Sequence, residues 1–551
     1  YIAVTGVQTC ALPISAEDKG GFYKSTNRGA TWQRQSDHVS SSPQYYQEIV
    51  HDPVHPGKIY SLSTYTQVTL DGGKTWEKVS TKNRHVDDHA LWINPDNNDE
   101  MIIGGDGGVY ETYNGGKTWD FIENLPITQF YRIQADNSEP FYWVYGGTQD
   151  NNSLGAPSQT TSTGGIYNHD WIFIVGGDGY EPQIDPENPN IIYGQWQYGN
   201  IVRFDKKSGE LTGVKPIEEK DELLRWNWDT PLLISPHSNT RIYTAANKVF
   251  RTDDRGNSWT KLSEDLTRDM DRNELEIMGK VWSPEAVSKN QSTSLYGNIV
   301  SLDESRVQED LLYIGTDDGL IQVTEDAGQT WRKIDGIEGI PKLAYVSDVY
   351  ASRHDANVVY ASFNNYKMGD FKPYILKSTD KGKTWSSISS NLPDNEPVWT
   401  IEQDTEDPDI LFAGTEFGLY ATVNGGKKWT ELTGSFPTIA VRDLDIQERE
   451  NDLVVGTFGR GIYILDNYTP LRHLKDTVLS NEAHIFPVKD ALMFTKQSKK
   501  YRNALGHNFY QAKNPKFGAI FTYYLKESLK TKKDKRKEME AEMREKNDTP
   551  P

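Results

Sequence analysis

The chain has 551 residues and a single cysteine, Cys10, so a disulfide framework and a cysteine-based zinc site are excluded. No apolar run approaches the roughly 18 residues that a spanning helix needs. Positive charge is scarce: 79 Asp and Glu stand against 59 Lys and Arg, a net charge of −20. This argues against nucleic acid or an anionic membrane surface as the main partner. Aromatics and turn formers are abundant, with 15 Trp, 30 Tyr, 45 Gly and 26 Pro, a composition of many short strands joined by tight turns. At roughly 150 residues per domain the length gives three or four domains, although all-β units run longer.

Residues 1–15 share no pattern with the rest of the chain, and residues 4–14 resemble an in-frame translation of a sequencing-library adapter. Their apolar positions are broken by Thr5, Gly6, Gln8 and Thr9 and lack a basic leader, unlike a signal peptide. Cys10 therefore reads as foreign, and the native part is expected to continue upstream, where any export signal would lie.

An eight-residue pattern, Ser/Thr-x-Asp/Asn-x-Gly-x-x-Trp, occurs seven times, at 25–32, 69–76, 112–119, 252–259, 324–331, 378–385 and 422–429. The spacings between its acidic or amide positions are 44, 43, 140, 72, 54 and 44. A period of 40 to 50 residues with four strand-like runs in each predicts an all-β propeller. Each copy reads as a hairpin turn: Asp or Asn accepts the turn's own N–H groups, Gly supplies a positive φ, and Trp packs between neighbouring sheets.

This motif is the Asp box, and the chain resembles the Asp-box propeller families: sialidases, two-propeller xyloglucanases and sortilin-type receptors. The strongest resemblance, over about residues 20–525, is to large sortilin-like bacterial proteins often labelled glycosyl hydrolases. It implies an extracytoplasmic protein. Seven inner strands are expected to begin near Gln129, Tyr180, Pro231, Asn298, Ser347, Val398 and Val441, making a complete seven-bladed ring over residues 126–470. Residues 16–125, with the first three boxes, are assigned to part of an earlier propeller; a single ten-bladed ring is the competing count. Residues 471–551 are read as the start of a truncated β-sandwich ending in a charged helix.

In this register the turns between the second and third strands share one face with the loops between sheets, and function is expected there. The face offers Asp106, Asp150, Asp178, Asp317 and Asp318 among its acids. Trp196, Arg225, Trp226, Asn227, Trp228, Trp282, Trp399, Glu416 and Arg460 are its candidate ligand-binding residues. Indoles stack on sugar faces while carboxylates take hydroxyls, so a glycan or a peptide is the expected ligand. Glycoside hydrolysis needs two carboxyls flanking the bond. Asp150, Asp178, Asp317 and Asp318 are the candidates, with Asp87 or Asp88 contributing if a cleft between propellers is used. Plain turn chemistry explains any one of these aspartates equally well.

The sialidase variant would need Arg225, Arg442 and Arg460 to converge on a substrate carboxylate, and the acid surplus argues for a neutral polysaccharide instead. His85, Asp87 and His89 would fall on one side of an extended segment, which allows a weak metal site, but no cofactor is otherwise expected. The segment 456–461 sits in a hairpin and is no phosphate loop, and no Gly-x-Ser-x-Gly elbow is present. The expectation is thus a propeller binding glycan or protein, with glycosidase activity as the enzymatic option and a non-catalytic receptor or scaffold as the alternative.

Overall fold

The computed structural model describes residues 20–42, 45–46, 48–220, 222–286, 289, 295–497, 509–527 and 529–546. The adapter-like segment with Cys10 lies outside the described residues. Among them, a two-stranded pair, Phe22–Lys24 with Gln33–Ser36, is followed by eight four-stranded antiparallel sheets and one three-stranded sheet. We number these units 1 to 10. Their first strands are Phe22–Lys24, Ile49–His51, Asp88–Ile93, Phe130–Ala135, Gln183–Ile184, Leu232–Ile234, Ile299–Glu304, Tyr345–Ala351, Val398–Gln403 and Val441–Gln447. Strands lie side by side in chain order within each unit, the blade pattern of a β-propeller.

Second strands such as Leu312–Thr316 and Leu411–Thr415 are buried at every position. Each blade is covered on both faces by its neighbours, which selects unbroken apolar runs instead of alternation. One core cluster accordingly joins unit 7, through Tyr313 and Val323, to unit 8, through Val346 and Phe363.

Unit 10 returns to unit 4. The Asp443 and Asp445 carboxylates accept the backbone N–H groups of Ile133 at 2.8 Å and Ala135 at 2.7 Å. The Tyr142 hydroxyl donates to Asp452 at 2.9 Å, and Gly459 N–H donates to Thr128 O at 3.2 Å. Units 4 to 10 therefore close a seven-bladed ring, with no opening for units 1 to 3.

All seven copies of the repeated pattern adopt one turn. In the copy at 324–331, Thr324 Oγ1 donates to Asp326 at 2.8 Å, Gly328 N–H donates to Thr324 Oγ1 at 2.9 Å, and Thr330 N–H donates to Asp326 at 2.9 Å. These hydrogen bonds hold the Asp254 and Asp380 carboxyls of two other copies down at about 2. The glycine is left-handed as expected, but so is the residue before it, which is Arg28, Arg255, Ala327 or Lys381 in four copies.

Trp reaches backwards. The Nε1 of Trp119, Trp259, Trp331 and Trp429 donates to Ser80 O, Val214 O, Leu262 O and Ile388 O, just past the outer strand of the preceding unit. Trp32, in unit 1, has no preceding unit among the described residues and is 40% exposed.

The segment after unit 10 leans on the ring. Gln511–Ala512 pairs with Ile166–Tyr167, which lies in the long excursion before the last strand of unit 4. Asn514 Nδ2 donates to Thr160 O at 2.9 Å and Ser162 O at 2.8 Å. Ala483–Ile485 pairs with Tyr523–Leu525, and Lys532–Glu545 is a helix with no buried residue. The two segments expected to open a sandwich, 483–495 and 517–525, thus contribute one two-stranded pair, and Gln511–Ala512 forms a second pair with the excursion of unit 4.

This packing sets the expected effects of three substitutions. Trp429→Ala, which empties a 2% exposed site, should lower unfolding stability by about 3–5 kcal/mol, while Trp32→Ala should cost under about 1 kcal/mol. Ala327→Gly should raise it by roughly 0.5–1 kcal/mol by relieving a left-handed alanine. Denaturant unfolding monitored by tryptophan fluorescence measures all three.

Candidate functional site

Two turns carrying the tetrapeptide Gly-Gly-Asp-Gly meet where unit 3 faces the ring. One, at 104–107, holds Asp106 between the second and third strands of unit 3; the other, at 176–179, holds Asp178 in the loop from unit 4 to unit 5. Both turns are pressed so close that side chains do not fit: a Cβ on Gly107 would lie 2.1 Å from His85 Cβ, and one on Gly179 would lie 2.5 Å from Asn152 O. Between them stands Asp150, in the second turn of unit 4 with a left-handed φ of 57°.

Asp150 N–H donates to Asp178 Oδ1 at 3.1 Å, and the Asp150 carboxyl is hydrogen-bonded to those of both Asp106 and Asp178. Carboxyls this close retain protons. Burial, reinforced by Asp150, pushes Asp106 up to about 8 and Asp178 up to about 7.

The surroundings hold this set in place. Asp178 Oδ2 accepts the Trp228 indole N–H at 3.0 Å and the Tyr180 hydroxyl at 3.3 Å. Asn151 Nδ2 donates to Asp106 O at 2.7 Å, tying unit 4 to unit 3. His89 Nε2 lies 2.8 Å from Asp106 Oδ1, and its ring packs with Tyr46 and Tyr45 at 5.0 and 5.3 Å. Tyr45 is 59% exposed and, with Tyr198 set edge-on to Trp228, makes the rim aromatic.

Of the sequence candidates, Asp150 and Asp178 come together and Trp228 holds one of them. Trp196 lies beside Gly177 at the same mouth. Asp317 and Asp318 stand apart. Asp317, pushed up to about 7 by burial, accepts Gly297 N–H and Asn298 N–H, and Asp318 accepts Thr316 Oγ1 and Arg268 N–H. Both stitch unit 7 to the loops around it.

Several expected ligand contacts are spent internally. Arg225 bonds Gly297 O, Asp265, Thr267 and Asp269. Trp226 is 6% exposed, inside a cluster with Leu224 and Phe250, so it is no stacking platform. Asn227 Oδ1 accepts Asp229 N–H. Trp282 is exposed beside Lys280 on the hairpin Glu276–Ile277 with Lys280–Val281, and Arg460 is exposed at a ring turn. Trp399 and Glu416 bond each other, indole N–H to carboxylate at 2.9 Å.

The metal reading fails on backbone geometry. Asp87 is left-handed, with φ 66°, which breaks the extended segment that would have aligned His85, Asp87 and His89. His85 Nδ1 sits 2.7 Å from Val86 O, Asp87 accepts the Tyr46 hydroxyl, and His89 meets Asp106. Among the described residues no group of three or more His, Cys, Asp or Glu could hold a metal ion, and no helix is long and apolar enough to cross a membrane. Asp88, a reserve acid, is buried against Arg84 and Thr66. Asp106 was absent from the catalytic candidates, and the recurrence of Gly-Gly-Asp-Gly around Asp106 and Asp178 is the signal that marks it.

No family model matches the chain. Over 239 residues it is 23% identical to xyloglucanase Xgh74A of Acetivibrio thermocellus, covering 40% of this chain but 27% of that enzyme, so it spans about a quarter of that relative's length. Among solved structures, a GH74 enzyme of Niastella koreensis is similar at 14% identity and a TM-score of 0.27, covering 82% of this chain and 81% of that one. The computationally designed Ika8 protein is similar at 12% identity and a TM-score of 0.31, covering 74% of this chain and 93% of that one. The propeller fold rests on the sheets themselves.

The carboxyl set makes a pH prediction. Asp106 and Asp178 have raised values in the folded state, so the folded protein holds protons that the unfolded chain gives up near pH 4. Their contribution to stability is present below about pH 4 and is lost as pH rises through about 7 and 8. In thermal melts from pH 4 to pH 8, Asp106→Asn should flatten the fall in Tm relative to the unaltered protein, because the amide keeps the neutral form.

Proposed function

We propose that this chain is the catalytic part of a glycoside hydrolase that holds a polysaccharide across the mouth between unit 3 and the ring. The observation that carries the reading is the set of three carboxyls, Asp106, Asp150 and Asp178, shared between the two bodies, in which Asp106 keeps its proton up to about 8. Asp106, protonated up to about 8, is the general acid that gives a proton to the leaving glycosidic oxygen. Asp178, fixed by Trp228 and Tyr180, is the base that takes a proton from the attacking water. Asp150 stands between them. Two outer carboxyls separated by a third suit the wider spacing used in inversion, where a water must fit beside the sugar.

The similarity to a xyloglucanase supports the substrate class, a plant-type polysaccharide, and the repeated turn supports the resemblance to Asp-box, sortilin-like proteins. A polymer of this size stays outside the cell, so the reading carries an extracytoplasmic location with it. It also carries a division into a partial first propeller over 16–125, a ring over 126–470 and a C-terminal segment over 471–551.

Reducing-sugar release from xyloglucan and from pectic and xylan polysaccharides tests this. Product is expected from at least one polymer, with the anomeric configuration inverted by NMR. Asp106→Asn and Asp178→Asn should each lower kcat by about 10²–10⁴ while leaving the melting transition cooperative. Binding without product from any polymer, or variants that keep the rate, would return the chain to the receptor class.

A further inference from the structure

Arg442 is unlike the ion-paired arginines of the ring. Arg225, Arg268, Arg353 and Arg472 each bond carboxylates, whereas Arg442 forms no ion pair among the described residues. Its Nε is buried without a hydrogen-bond partner. The guanidinium instead lies between aromatic faces, with Cζ 3.5 Å from the Trp399 ring centroid and 4.8 Å from that of Phe458. Trp399 is pinned in turn by the indole bond to Glu416 and by the edge of Tyr366 at 5.6 Å. The guanidinium is thus oriented by its neighbours, with its Nε donor unanswered among the described residues.

A desolvated charge lacking a counter-ion is costly, and stacking on aromatic faces offsets only part of that cost. Burial accordingly draws the Arg442 value below the ordinary arginine range, against the pull of the more distant Glu416. An oxyanion of a ligand would complete the site, because a carboxylate matches the planar guanidinium fork in two parallel hydrogen bonds.

The position ties this feature to the carboxyl set. Phe458 is 5.4 Å from Tyr131, Tyr131 is 4.8 Å from Tyr180, and the Tyr180 hydroxyl is 3.3 Å from Asp178. Packed aromatic rings, the last of them the buried Tyr180, therefore link Arg442 to the acids. We infer that Arg442, cradled by Trp399 and Phe458, is a subsite for the carboxylate of a uronic-acid residue, so that the polysaccharide taken by this mouth is acidic. This rests on the hydrolase reading for the class of polymer, and it reverses the neutral substrate expected from the acid surplus, since the acids nearest the mouth retain protons.

The test measures binding, not turnover, with Asp178→Asn as the host protein. Calorimetry would compare hexamers of galacturonate, mannuronate and glucuronate, each as the free acid and as its methyl ester, which have the same backbone and differ in charge. At least one free acid should bind about ten-fold or more tightly than its ester. Arg442→Gln should abolish the preference and Arg442→Lys should keep part of it. Equal binding of acid and ester for all three sugars would overturn the proposal without requiring any variant to fold, and so would a preference that survives Arg442→Gln. Tighter binding of an acidic peptide than of any uronate would overturn the glycan assignment. If uronates bind through Arg442 but no polymer is cut, the hydrolase reading falls and the subsite stands; if polymer is cut but acid and ester bind alike, the subsite alone falls.

Discussion

The ring depends on how its innermost strands satisfy backbone N–H groups that face the axis and have no further strand to pair with. Side chains of the neighbouring blade take them. Gln134 accepts Ile184 N–H, Glu181 and Gln183 accept Leu232 and Ile234, Asp303 accepts Ala351, Asp348 accepts Ile401, and Asp443 and Asp445 accept Ile133 and Ala135. An unpaired buried amide is costly, so these acceptors set both the order and the closure of the blades. Five of the acids, Glu181, Asp303, Asp348, Asp443 and Asp445, are thereby placed along the axis for a structural reason. Burial pushes Glu181 up to about 8 and Asp303 and Asp443 up to about 7, while Arg132, 3.4 Å from Asp229 and 3.7 Å from Asp443, offsets part of the charge.

The same economy of charge governs the mouth. Acids that bond each other across two bodies can do so only by sharing protons, which links the docking of unit 3 to the chemistry of Asp106. Glycine is required around both acidic turns by packing from His85 and Asn152 rather than by any contact with a ligand. The repeated turn has a separate role: its carboxylates are ionised and exposed, its tryptophans join one blade to the next, and none of its residues enters the mouth.

Much of the fold was legible because it is local. The pattern at 324–331 closes its own hydrogen bonds within eight residues, and the predicted starts at Val398 and Val441 coincide with observed strands. The candidate site was legible only in part. Asp150 and Asp178 were found by register, but Trp226 and Arg225 carried the same surface signature as Trp228 and Arg442 while being spent in packing and ion pairs. Likewise, one left-handed residue, Asp87, separates His85 from His89, and a pattern of side-chain types does not register such a break.

The amino-acid sequence by itself determined the blade unit: its strands, its turn and the tryptophan that grips the preceding blade, because each is set by residues within one repeat of its neighbour. Only the tertiary structure decided that the ring closes at seven, through contacts between residues 310 apart such as Asp443 and Ile133. It alone decided which aspartates share protons and that Arg442 stacks on aromatic rings instead of pairing with a carboxylate. Burial and charge pairing are properties of a neighbourhood assembled from several blades, and no single stretch of sequence contains that neighbourhood.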